Sequence, residues 1–245
     1  MNLIVRKNDD EIAKIVALDV LRLVKEKPNA VLGLATGSSP VKTYGQIVER
    51  AKRENIDFSS VITFNLDEYL NNPDDKKSYR CFMDSHLFDL INIKKENTHF
   101  PSLETIHSYD EEIRKDGGID LQLLGIGADG HIGFNEPGTP FDSLTHVANL
   151  AEKTIQDNSR FFSSVKDVPT RAVTRGRKTI RQAKKIILIA TGKNKAFAIG
   201  KTFEKVDIST PASILNHHSN CTVFCDEEAA SLIKHGQSLK TNGKI

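Results

Sequence analysis

Residues Leu124 to Gly138 read LGIGADGHIGFNEPG. Asp129 and His131 stand two apart, and Glu136 comes next within a segment rich in Gly and Pro. Histidine is the side chain that gains and loses a proton near neutral pH. A carboxylate beside it can fix its tautomer and stabilise its protonated form. A histidine flanked by two acids suits the movement of protons between oxygens. No Ser or Cys stands in the motif, which disfavours a nucleophilic mechanism. A zinc site is the competing reading, but the spacing matches no common zinc pattern, and we expect no metal.

The same stretch carries Gly125, Gly127 and Gly130, a G-x-G-x-x-G spacing. A dinucleotide loop needs a helix starting within those glycines, because the pyrophosphate sits on its N-terminus. After Gly130 the chain reads HIGFNEPGTP, whose Gly133, Pro137, Gly138 and Pro140 oppose a helix. Two other leads are weaker. GKT at Gly200–Thr202 imitates the end of a phosphate loop, but the glycine that pattern requires is Lys195. His217 and His218 are adjacent and rarely converge on one ion, so we read them as surface or capping residues.

Three further stretches could act on a ligand. In LATGSSP, Thr36, Gly37, Ser38 and Ser39 precede a helix begun by Pro40. Free N–H groups at a helix start favour an anion, and hydroxyls add donors; helix capping by Ser38 or Ser39 is the plainer alternative. NLDEY ends an apolar run with Asp67 and Glu68. A carboxylate there can be a general base, or merely a solvated strand-end charge. Arg160 in NSRFF and Lys195 in TGKNKAF could give charge-assisted bonds to a phosphate.

The elements that must position these residues alternate. Strands are expected at Asn2–Val5, Ala30–Gly37, Val61–Leu70, Ile119–Gly127, Thr145–Leu150, Lys184–Gly192 and from Cys221. Helices are expected at Asp9–Lys27, from Pro40, at Ser78–Ile91, after Gly192 and at the end of the chain. This pattern predicts an α/β fold: an open, mostly parallel sheet with helices on both faces, Rossmann-like but without a dinucleotide site. We see no repeat or dividing linker and expect a single domain over 1–245, with a mobile polar tail at 233–245. Ligands of such sheets bind outside the carboxyl ends of the strands, where the four chemistry-bearing loops begin.

With 245 residues, 38% hydrophobic and 27% charged, the composition is that of an ordinary globular protein. Lys and Arg number 34 against 32 Asp and Glu, a formal net charge of +2. No basic excess suggests nucleic acid as a partner. The three cysteines, Cys81, Cys221 and Cys225, suggest no disulfide framework, and the CTVFC pair reads as buried strand thiols. We find no signal-like or membrane-spanning apolar run and expect a cytoplasmic protein.

In order along the chain, LGLATGSSP, FNLDEY, LGIGADGHIGFNEPG, NSRFF and ATGKNKA resemble the glucosamine-6-phosphate deaminase family, with likeness from about residue 2 to residue 232. The resemblance implies an enzyme of amino-sugar catabolism (N-acetylglucosamine, sialic acid), a hydrolase of a carbon–nitrogen bond. It would turn glucosamine 6-phosphate and water into fructose 6-phosphate and ammonia. No cofactor is implied; the partner is a small-molecule substrate, and a homo-oligomer is possible. Asp129, His131 and Glu136 would open the sugar ring, and Asp67 would remove the C2 proton. Thr36, Gly37, Ser38, Arg160 and Lys195 would hold the phosphate, with Ser38 at a position where glycine also occurs. The rival is 6-phosphogluconolactonase, similar in fold and in its DGH segment. Its pattern continues toward a run containing Ser and Phe-Pro, whereas here the continuation is IGFNEPG and Glu136 has no obvious counterpart. A non-catalytic sugar-phosphate-binding regulator is the third reading; retention of all four acid–base residues speaks against it.

Overall fold

The computed structural model describes residues 1–72 and 74–233. Apart from Ile233, the tail expected at 233–245 lies outside the described residues. In chain order the elements are β1 (Asn2–Arg6), α1 (Asp9–Glu26), β2 (Val31–Leu34), α2 (Val41–Glu54), β3 (Ile62–Asn65), β4 (Asp67–Tyr69), α3 (Tyr79–His86), β5 (Thr98–His99), α4 (Tyr109–Lys115) and β6 (Leu121–Leu124). Then come β7 (His146–Asn149), α5 (Glu152–Asn158), β8 (Arg171–Thr174), α6 (Arg177–Arg181), β9 (Lys185–Ala190), α7 (Ala196–Thr202), β10 (Cys221–Asp226) and α8 (Glu227–Ala230).

Local chemistry explains the longest of these. In α1, Ile12, Val16, Val20, Leu21 and Val24 are buried at helical spacing, and Asn8 caps the start by accepting from Glu11 N at 3.0 Å. Acids crowd its first turn and Lys25 its last, as the helix dipole favours.

Seven strands form one sheet in the order β1-β10-β9-β6-β2-β3-β5, with every pair parallel. Its strands are apolar on both sides, so each face carries helices. Ile187, Ile189, Leu32 and Leu34 pack with α1, α2 and Met83 of α3. Ile186, Leu188, Val31 and Phe64 pack on the other side with residues of α4, α6, α7 and α8. Cys221 and Cys225 are buried on that second face as free thiols. From β2 the chain winds outward through β3 and β5, then returns to β6 and winds the other way through β9 and β10. The switch point therefore falls between β2 and β6, and the crevice beyond their carboxyl ends is where such a sheet holds a ligand.

The structure departs from the sequence reading in several places. Val61–Leu70 is not one strand. It breaks at Leu66, and β4 leaves the parallel sheet to join an antiparallel one of order β4-β8-β7. That second sheet also takes the strand expected near Thr145–Leu150. Ala30–Gly37 is strand only over Val31–Leu34, and Ser78–Ile91 is helical to His86 before a 3-10 turn at Phe88–Leu90. α2 begins after Pro40 and has no side-chain cap, so neither Ser38 nor Ser39 caps it. His218 is not a surface residue: it is buried, with Nε2 2.7 Å from Ala183 O and Nδ1 accepting from Asn220 N. Among the described residues no helix is long and apolar enough to cross a membrane.

One close contact fixes β2 against β6. An added Cβ at Gly33 would overlap the side-chain amide of Gln122. Gln122 is fully buried and cannot swing aside: its Nε2 donates to Leu123 O and its Oε1 accepts from Arg175. Overpacking and the broken buried hydrogen bonds together should make Gly33→Ala cost about 3 kcal/mol. The midpoint of urea unfolding measures it; an unchanged midpoint would refute the contact.

Candidate active site

The loops that leave β2 and β6 face one another over the switch point. Ala35 to Ser39 line one side of a cleft, and Gly125, Ile126 and Gly127 another. The cavity volume of the cleft is about 170 Å³, and it opens to solvent. Thr36, Gly37, Ser38, Asp67, His131, Arg160 and Lys195 all line it. Asp129 and Glu136 do not; they stand behind the His131 ring.

The glycines of the central motif serve the histidine. No helix succeeds them; the chain runs through turns, with Gly127 N donating to His131 O at 2.9 Å and Ile132 bridging to Asn135. A Cβ at Gly127 would overlap the imidazole at Cε1, so the ring lies where only glycine leaves room. Gly133 has φ +58° and lies against Thr174 Oγ1 and Asp67 Oδ2. Asn135, fully buried, ties the loop down by donating to Ile132 O and Arg175 O.

His131 Nδ1 lies 2.8 Å from Asp129 Oδ1 and 3.8 Å from Glu136 Oε2. Burial raises the Asp129 carboxyl, but contact with His131 and its charge outweigh that and hold it down to about 2. It is therefore ionised at neutral pH. Glu136 Oε1 accepts from Thr154 Oγ1 at 2.7 Å and from Ala151 N at 3.3 Å. These bonds anchor the start of α5 to the motif. Nε2 of His131 has no protein partner among the described residues and is the nitrogen left for a ligand. One ligating atom each from Asp129, His131 and Glu136 lie within 4.8 Å of one another, so these three are also the residues that could hold a cation.

Asp67 opens β4, directly after the break at Leu66, and pairs with Thr174 of β8. It is only 5% exposed, which excludes the solvated-charge reading. Among the described residues no hydrogen-bond donor touches its carboxylate. Burial, and secondarily the charge of Glu68, push its pKa up to about 8; Arg175 opposes them. Glu68 has a different task. Its carboxylate accepts from the backbone N of Tyr69, Tyr79 and Arg80, each at 2.9 Å, and so holds the start of α3.

The third group is cationic. Gly37 adopts φ +88°, a conformation that favours glycine, and turns the chain toward α2, whose first turn holds no acid. Arg160 Nη2 lies 3.4 Å from Ser38 Oγ, so the NSRFF and ATGSSP loops meet. Lys195 comes soon after Gly192, at φ +87°, and its pKa is lowered by burial. Neither cation has an ion pair among the described residues. Two unpaired cations beside an uncapped helix start favour an anion.

Sequence reasoning missed part of the wall. Tyr79, Phe134, Thr154, Asp157, Asn158 and Asn194 also line the cleft. Tyr79 and Tyr69 join hydroxyls at 3.2 Å, and Tyr69 accepts from Asn158 Nδ2 at 2.9 Å. The motif neighbours of Asn158 and Asn194 were visible; α5 was not, because EKTIQDN offers a single large apolar residue.

Fold and cleft together define a doubly wound α/β protein whose switch point gathers a histidine backed by carboxylates, a buried aspartate and two unpaired cations in one cleft. The chain belongs to the family described as glucosamine-6-phosphate isomerases/6-phosphogluconolactonase, whose model matches residues 7–224. It is 51% identical over 241 residues to the glucosamine-6-phosphate deaminase of Thermoanaerobacter sp. (strain X514), covering 95% of each chain. To that of Shouchella clausii it is 49% identical over 240 residues, covering 95% of this chain and 97% of the relative. A solved structure described as a monomeric glucosamine-6-phosphate deaminase superposes with a TM-score of 0.91 at 43% identity, covering 95% of this chain and all of the other.

Proposed function

We propose that this chain converts glucosamine 6-phosphate and water to fructose 6-phosphate and ammonia. The carrying observation is that Asp67 and His131, with Asp129 behind it, face the one cleft into which Ser38, Arg160 and Lys195 also reach. Two proton-transfer groups are needed, because opening a ring and removing a carbon-bound proton occur at different atoms. An anchored phosphate supplies positioning for the second, harder step.

His131 takes the proton of the C1 hydroxyl and returns it to the ring oxygen, giving the open-chain aldehyde. Asp129 and Glu136 stabilise the imidazolium between these transfers. Asp67 then removes the C2 proton and the substrate's ammonium gives one to O1, leaving an enolamine. Protonation at C1 gives the C2 imine, water adds to C2, and ammonia leaves. Thr36, Gly37, Ser38, Arg160 and Lys195 hold the phosphate throughout. All these groups come from one chain, so a monomer suffices for the site.

The purified protein should release ammonia from glucosamine 6-phosphate and leave 6-phosphogluconolactone intact. Hydrolysis of the lactone without ammonia would transfer the chain to the other branch of its family, and turnover of neither would make it a binder.

Gly127→Ala provides a sharper check of His131. The added methyl displaces the ring, so kcat should fall about a hundredfold, the scale of one general acid–base group. KM should stay within a few-fold, since the anion site is untouched. Steady-state ammonia release separates the two constants.

A further inference from the structure

Arg175 is fully buried, and the proposed reaction makes no use of its charge. It comes directly after β8 and donates from Nη1 to Gln122 Oε1 at 2.5 Å and from Nη2 to Thr179 O at 3.3 Å. Both partners are neutral. Its Nε is buried without a partner, and among the described residues no carboxylate lies within ion-pair distance of the guanidinium. Burial lowers the pKa of Arg175, but a guanidinium starts so high that it keeps its proton at neutral pH. A buried cation without an ion pair is costly, and removing that cost by an apolar residue is open to any sequence.

Its position relates it to the carboxylate just past the end of β3. Thr174, one residue earlier, is the strand partner of Asp67, and Arg175 N donates to Leu66 O at 2.8 Å. The backbone of Arg175 is thus tied to the residue before Asp67. Its side chain is clasped by Gln122, which is itself wedged against Gly33. The backbone of Arg175 is therefore fixed next to Asp67, and its charge acts on the Asp67 carboxylate without bonding to it. Direct pairing would quench the basicity of Asp67, whereas a charge beyond hydrogen-bond reach favours the ionised form and leaves its lone pairs free.

We infer that Arg175 is a positioning residue for proton removal: a fixed, unpaired counter-charge, clamped by Gln122, that keeps Asp67 ionisable in a dry site. This rests on the reading of Asp67 as the C2 base. The other groups around Asp67 do not fill this part. Glu68 on its own strand acts in the opposite sense. Tyr69, Tyr79 of α3 and Tyr109 of α4 interact with it, but burial raises all three phenols, so they stay neutral. His131 faces the same cleft but is engaged by Asp129. Tyr109 and Asp110 of α4 also act on the Arg175 charge, ahead of Asp67; the Asp110 oxygens are held by Thr145 N and Oγ1, which donate to them.

The test is the pH dependence of kcat/KM for glucosamine 6-phosphate in wild type, Arg175→Met, Arg175→Lys and Gln122→Glu, with Asp67→Asn as the control. The wild-type profile should rise through a limb that Asp67→Asn abolishes. In Arg175→Met the limb should move up by about one pH unit, a roughly tenfold loss at pH 7 that is recovered on the alkaline side. Arg175→Lys should stay near wild type. Gln122→Glu keeps Arg175 but neutralises its field, and should move the limb the same way, which decides the matter if Arg175→Met does not fold. A loss equal at every pH would make Arg175 merely structural, and an unmoved limb in Arg175→Met and Gln122→Glu would overturn its role while leaving Asp67 as base. A limb that survives Asp67→Asn would instead remove the base assignment, and the inference with it.

Discussion

Asp67→Asn is expected to bind glucosamine 6-phosphate and leave its C2 hydrogen in place. In heavy water the wild type should wash deuterium into C2 of the sugar phosphate, and the variant should not. Turnover should drop by about 10³-fold or more, near the upper range for one general base. Wild-type exchange in the variant would remove Asp67 from the role. The same substitution should stabilise the fold. Burial raises the Asp67 carboxyl to about 8, so the folded chain keeps a proton that the unfolded chain has released. The associated stability is complete below the unfolded value near pH 4. It is lost progressively as pH rises toward 8. Asparagine carries no such charge, and at pH 8 a gain of about 1–3 kcal/mol is expected, the usual exchange of activity for stability at a buried catalytic group. Thermal unfolding at acid and alkaline pH reads it directly: the gain should vanish on acidification.

Lys195→Ala combined with Arg160→Ala should have the next largest effect, on a different constant. A hydrogen bond to a charged group contributes about 1.5–3 kcal/mol, so each loss should raise KM about thirtyfold and the pair about a thousandfold. Part of the loss should fall on kcat, because the phosphate also holds C2 against its base. Unphosphorylated glucosamine should inhibit wild type far more weakly than its phosphate ester does. Equal inhibition would end the anion-site reading.

Much of this site was legible because Gly, Ser and Pro punctuate the chain where parallel strands end. ATGSSP and GADGHIGFNEPG come after apolar runs, and those runs prove to be β2 and β6 at the switch point. The elements that escaped detection lacked periodicity. VITFNLDEYL is strand-like throughout, and nothing in it announces that Leu66 divides two sheets. β8 and α6 are only 4 and 5 residues long, too short for an apolar pattern. Arg175 and Arg177 lie in TRGRKTI, a basic run that reads as solvated surface, yet both are fully buried. Arg177 donates to Thr139 O and Pro211 O and stacks on Phe141, bracing the segment after Glu136. Spacing also could not show that Glu68, adjacent to Asp67, is absorbed in holding α3.

The division at Leu66 separates the groups to which the proposed reaction assigns its steps. His131 and the Thr36–Ser38 turn hang from the parallel ladder, whereas Asp67 belongs to the antiparallel one. In the proposed reaction, register between proton acceptor and gripped ester is thus set by how two separately laced scaffolds seat against each other. Substitutions at that seam, far from any ligand contact, can retune which carbon is presented without altering either toolset.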